Sequence, residues 1–128
     1  MPKARKIVCV IDDDDDMRMV LRDALALEEY DVIEASDGAQ ALSVLRQQRP
    51  AACVLLLDLM MPGMNGWEFR RRQLADAALS SIPVIVFSGA GNVADAARDL
   101  DVAAYVAKPV DLEKLLATIL THCGPPTP

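Results

Sequence analysis

The chain has 128 residues, 52% of them hydrophobic, and its 19 acidic against 13 basic side chains give a formal net charge of −6. That length holds one domain with a real core but not two, and the composition is that of a globular rather than a disordered chain. No apolar run is long enough to span a membrane, and the acidic balance argues against nonspecific nucleic-acid binding, which needs a basic surface.

The N-terminal MPKARKIVCVI begins basic and turns apolar, but aspartates cut it off and no small-residue cleavage site follows. It is therefore not read as a signal peptide, and the expected location is the cytoplasm. The strand-like run from Lys6 to Ile11 leads into Asp12, Asp13, Asp14, Asp15 and Asp16. Met17, Val20, Leu21, Ala24 and Leu25 then repeat at i, i+3, i+4, i+7, i+8, the spacing of one helix face. A second apolar run, Asp31 to Ala35, precedes Asp37-Gly38 and a weaker helical pattern through Ala41, Leu42 and Leu45 that stops before Pro50. The third strand runs from Cys53 to Asp58, and Asn65-Gly66 opens a helix through Leu74. A fourth strand, Pro83 to Ser88, is followed by an alanine-rich helix from Val93 to Leu100 with Asn92 as its cap. The last strand is Ala104 to Ala107, and Asp111 caps a helix carrying Leu112, Leu115, Leu116, Ile119 and Leu120.

Strands alternating with helices predict an α/β fold, a parallel sheet covered on both faces. Residues 1–122 are read as the domain and 123–128, which include GPPTP, as a frayed tail or linker stub. Cys9, Cys53 and Cys123 are odd in number and lack CxxC spacing, so all three are read as buried free thiols. Arg70-Arg71-Arg72 is read as a solvated helix face, Trp67 as packed at the start of the third helix, and His122 as a lone side chain near a helix C-terminus.

In open parallel sheets, ligands bind outside the carboxyl ends of the strands. Here those ends carry Asp12 and Asp13, then Asp58, then Ser88, then Lys108. Two carboxylates about 4 Å apart repel by about 4 kcal/mol at an effective dielectric near 20, and one lysine does not offset three such charges. A divalent cation with oxygen ligands would. Carboxylates, an ammonium and a hydroxyl around such an ion suit phosphoryl transfer, with Asp58 as a nucleophile able to form an aspartyl-phosphate.

The stretches VCVIDDDDDMR, VLLLDLMMPGMNGWEF, IPVIVFSGAG and YVAKPVD resemble the receiver domain of two-component response regulators, of the single-domain chemotaxis type. The resemblance runs from about Lys6 to Leu120. It implies a doubly wound, flavodoxin-like (βα)5 fold with five parallel strands in the order 2-1-3-4-5. It also implies that Asp58 is the phospho-acceptor and that Asp12, Asp13, Asp58 and the Met60 backbone carbonyl hold Mg2+, with Mn2+ able to substitute. Ser88 and Lys108 would contact the phosphoryl group, and the Lys108–Pro109 peptide would be cis. Ser88 and Tyr105 would form the switch, with the fourth helix, fifth strand and fifth helix as output surface. The phosphodonor would be a sensor histidine kinase or histidine phosphotransfer protein, and the output a downstream protein rather than nucleic acid or membrane. Such a domain catalyses its own phosphorylation and dephosphorylation without being an enzyme for a diffusible substrate.

Asp14, Asp15 and Asp16 are assigned to the following turn and helix start, where negative charge suits the helix dipole. Two features depart from the family pattern. The stretch from Ser88 to Lys108 is short, and Leu100-Asp101-Val102-Ala103 lacks the glycine common before the switch aromatic. By the same resemblance, Met60 and Ala90 match positions that tune dephosphorylation in the family, and neither side chain orients a water by hydrogen bonding. Two other readings fit these residues less well. Asp12-x-Asp14 superficially resembles the haloacid-dehalogenase phosphatases, but Asp16 stands where a threonine or valine is wanted. A degenerate receiver serving as a scaffold is disfavoured by the complete residue set.

Overall fold

The computed structural model describes residues 5–89 and 93–126. The elements alternate without exception: β1 (Ile7–Ile11), α1 (Asp15–Leu27), β2 (Asp31–Ala35), α2 (Gly38–Gln47), β3 (Val54–Leu57), α3 (Gly66–Leu74), β4 (Val84–Ser88), α4 (Val93–Leu100), β5 (Ala104–Ala107) and α5 (Leu112–Cys123). The strands form one parallel sheet in the order β2-β1-β3-β4-β5.

Local chemistry sets the helix starts. Asp14 caps α1, its Oδ1 accepting the N–H groups of Asp16 and Met17 at 3.0 and 3.2 Å, while Asp15 and Asp16 occupy the first turn. Asp37, Asn65 and Asp111 cap α2, α3 and α5 in the same way. The expected cap of α4, Asn92, lies outside the described residues, as does Ala90.

The three central strands are buried throughout. Their side chains alternate between two core layers. Cys9, Ile11, Leu55, Leu57, Val84 and Val86 pack with Leu42, Phe69 and Ala96 from α2, α3 and α4. Val8, Val10, Leu56, Ile85 and Phe87 pack with Leu21, Leu25, Leu115 and Ile119 from α1 and α5. The helices run back from the carboxyl rim of the sheet, so their C-termini gather at the amino rim.

Three expectations are corrected there. Cys53 and Cys123 form a disulfide, with Cα atoms 5.4 Å apart across 70 residues of sequence. Only Cys9 is a free, buried thiol. The topology brings the start of β3 to the end of α5, a proximity that spacing along the chain does not encode. Cys123 closes α5 instead of opening a tail. Residues 124–126 are tied down: the Tyr30 hydroxyl donates to the Gly124 carbonyl at 2.8 Å and the Lys6 N–H to the Pro126 carbonyl at 2.7 Å. Arg70 is buried rather than solvated, at 7% exposure. Its guanidinium bonds the carbonyls of Leu100 and Asp101 and the side chain of Gln73. Gln73 in turn donates to the Leu79 and Ile82 carbonyls. Finally, the turn before β5 manages without glycine: Asp101 itself takes a left-handed φ of 54°, which aspartate tolerates better than most residues, and its carbonyl is held by Arg70.

Candidate functional site at the carboxyl rim

Register places the site. Ile11 aligns with Ala35 on one side and Leu57 on the other, so Asp12 and Asp58 leave the sheet side by side. The Asp12 N–H donates to the Ala35 carbonyl at 3.1 Å and the Asp58 N–H to the Ile11 carbonyl at 2.9 Å. At the other side Ser88 aligns with Ala107, and the Lys108 N–H donates to the Ser88 carbonyl at 3.0 Å. The Lys108–Pro109 peptide is cis.

Asp12, Asp58 and Ser88 are all buried. Lys108 Nζ lies 3.3 Å from Asp12 Oδ2 and 3.7 Å from Asp58 Oδ2, and 5.0 Å above the Phe87 ring. The remaining oxygens are partly tied by backbone. Asp12 Oδ1 accepts the Asp14 N–H at 2.9 Å, and Asp58 Oδ1 accepts the Met60 N–H at 3.3 Å. Asp13 is exposed, yet it brings a carboxylate oxygen to the same spot: one oxygen each from Asp12, Asp13 and Asp58 lie within 4.8 Å of one another.

The charges do not balance. Burial, and next the charge of Asp12, push the Asp58 carboxyl up to about 6, against the opposing pull of Lys108 and the Met60 N–H. A cluster of hard oxygen donors crowded this closely suits a hard divalent cation.

The remaining expected residues fall around this cluster. Tyr105 is on edge strand β5 and is 51% exposed, its side chain turned out of the core. Met60 is 62% exposed. It borders an apolar depression of about 310 Å³ shared with Leu59, Met61, Pro62, Asn65 and the half-exposed Trp67. Asp14 serves the helix start. His122 is exposed on α5.

Two contributors were not foreseen. Arg18, one turn into α1, donates from Nη1 to the Asp12 carbonyl at 2.6 Å and so anchors the acidic turn from behind. Gly66 lets α3 begin directly against the acceptor loop: a Cβ there would lie 2.7 Å from Leu59 Cα and 2.8 Å from the Asp58 carbonyl. Asn65-Gly66 signalled a turn, but the close approach behind Asp58 left no mark in the sequence.

Comparison with known proteins agrees with this architecture. The family described as response regulator receiver domain matches residues 8–120. Protein PilH of Pseudomonas aeruginosa is 34% identical over 119 residues, covering 88% of this chain and 93% of PilH. The DNA-binding response regulator MtrA of Mycolicibacterium smegmatis is 35% identical over 121 residues, 93% of this chain but 51% of MtrA. The chain spans about half the length of several curated relatives it matches. A response regulator receiver protein from Pseudomonas putida superposes with a TM-score of 0.85 at 30% identity, covering 94% of this chain and 99% of that one.

Proposed function

Because this chain belongs to the response regulator receiver domain family of two-component signalling, we propose that Asp58 is its phospho-acceptor and that the acidic rim makes the transfer magnesium-dependent. The observation that carries this reading is the buried Asp58 carboxylate, packed beside Asp12 and sharing the single ammonium of Lys108 with it.

Asp12, Asp13, Asp58 and the Met60 carbonyl are the groups that would hold Mg2+, or Mn2+ in its place. The bound ion would neutralise charge on the transferring phosphoryl group. The chain's own groups do the rest. A carboxylate oxygen of Asp58 attacks the phosphorus of a phosphohistidine as the P–N bond breaks and the imidazole leaves with the electron pair. Lys108 pairs with a phosphoryl oxygen, and its position over Phe87 limits where the ammonium can go. The Ser88 hydroxyl shifts toward the phosphoryl group, and Tyr105 turns inward from its exposed position. That motion remodels α4, β5 and α5 for a downstream protein. The donor is a sensor histidine kinase or a histidine phosphotransfer protein, and the setting is the cytoplasm. The domain itself contacts neither nucleic acid nor membrane. Its net charge of −6 fits that exclusion. Met60 presents no group that orients water, so self-catalysed dephosphorylation is slow.

Intact mass after incubation with Mg2+ and acetyl phosphate tests the proposal. One acid-stable, base-labile phosphoryl adduct is expected on the wild type, absent from Asp58→Asn and absent without Mg2+. No adduct under conditions that modify a control receiver would refute it.

A further inference from the structure

We propose that Cys53 and Cys123 are a reversible oxidation site, a dithiol–disulfide pair that latches the C-terminal end of α5 to the start of β3. Their Cα atoms are 5.4 Å apart, within the range a disulfide bridges without backbone movement. The phospho-acceptor site uses neither residue. Cys53 precedes β3 and Asp58 follows it, so the pair sits about 16 Å of extended strand away, on the opposite rim.

Three features favour this pair over any other thiol chemistry in the chain. Cys53 is half-buried, so a small oxidant reaches it from solvent, while Cys123 is 7% exposed and waits behind it. The third thiol is separated by the sheet: Cys9 packs in the layer under α2 and α3, whereas Cys123 packs in the layer under α1 and α5. Burial also pushes the Cys9 thiol up to about 12, which leaves it with negligible thiolate. Lastly, the landing place of Cys123 is set by bonds that do not need the disulfide. Lys6 Nζ donates to the Cys123 carbonyl, Tyr30 holds Gly124, and the Lys6 N–H holds Pro126. The reduced thiols are therefore kept in register for closure.

The oxidant is a low-molecular-weight disulfide such as oxidised glutathione. The Cys53 thiolate attacks one of its sulfurs and expels a glutathione thiolate, giving a mixed disulfide. The Cys123 thiolate then attacks the Cys53 sulfur and expels the second glutathione. The protein gives up two protons and two electrons, and one glutathione disulfide becomes two thiols. In a reducing compartment, disulfides of this kind are transient and sensing rather than permanent.

The test uses the full chain equilibrated anaerobically with graded mixtures of reduced and oxidised glutathione, then alkylated and weighed. With rising oxidised fraction, a species lacking two alkyl groups should replace the fully alkylated one. Its peptide map should join Cys53 to Cys123, with Cys9 alkylated only after unfolding. Oxidised wild type should melt about 10 °C or more above reduced wild type, because the link closes a long loop. Cys53→Ser should abolish that difference. Both redox forms of the wild type are compared directly, so the result does not rest on a variant folding. Three alkylatable thiols across the whole series, a single glutathione adduct as end product, a link to Cys9 or between two chains, or coincident melting would each overturn the proposal.

Discussion

The two rims of the sheet are built on opposite principles. At the amino rim, polar groups are paired across elements. Tyr30 holds Gly124, Arg70 holds Leu100 and Asp101, Gln73 holds Leu79 and Ile82, and Cys53 is joined to Cys123. Each tie secures the end of a helix, either to a segment near the start of a strand or to a neighbouring helix or turn. At the carboxyl rim, three carboxylates crowd together with one ammonium, and Asp58 is held in a state its surroundings resist. The contrast separates what keeps the fold from what the fold is for. Charge crowding is tolerated at the carboxyl rim because the other rim and two core layers hold the backbone in place.

The comparison is broken most severely by removing the ammonium that faces the Asp12 and Asp58 carboxylates. Lys108→Ala should slow adduct formation from acetyl phosphate by about 100-fold or more, since a charge aimed at the transferring group is lost. Circular dichroism should show the fold retained. The matching change at the amino rim should do the reverse. Arg70→Met leaves the Leu100 and Asp101 carbonyls and the buried Gln73 side-chain oxygen without their donor, and should cost about 2–4 kcal/mol in denaturant unfolding. Its phosphoryl uptake should stay within about threefold of wild type, well inside one power of ten, or 1.4 kcal/mol.

A subtler asymmetry appears with pH in chelator-treated protein. The folded state holds the Asp58 proton more tightly than the unfolded chain does, because its carboxyl is raised from 3.8 to about 6. The stabilisation from this group is therefore full below the unfolded value and is lost as pH rises through about 6. Wild-type melting temperature should decline across that window relative to Asp58→Asn, and Mg2+ should restore it more at neutral pH than at pH 5. The smallest effect belongs to Asp101→Gly. Relief of a left-handed backbone is offset by greater chain entropy in the unfolded state, so stability should move by about 0.5 kcal/mol or less.

The parts of this design legible in the sequence are those carried by local pattern. Apolar runs gave the strands. Asp14, Asp37, Asn65 and Asp111 marked helix starts by their capping chemistry. Asp12, Asp13, Asp58, Ser88 and Lys108 could be gathered at one rim because each ends or follows a strand, and parallel topology aligns those ends. What escaped depended on contacts between distant segments. Arg70 looked like one of three solvated arginines until α4 ended beside it. Cys53 and Cys123 looked like independent core thiols until the last helix returned to β3. The carboxyl rim reads from sequence because strands deliver its residues one by one, whereas the amino rim is assembled from helix ends whose meeting points only the folded chain defines.

The central claim is that one particular carboxylate of the acidic rim carries the phosphoryl group. Borohydride trapping after acetyl phosphate treatment, followed by peptide sequencing in the mass spectrometer, tests it most directly, because reduction turns a phosphorylated aspartate into homoserine. The account predicts homoserine at position 58 alone, and only when Mg2+ is present. Homoserine at Asp12 or Asp13 with Asp58 unmodified would contradict it.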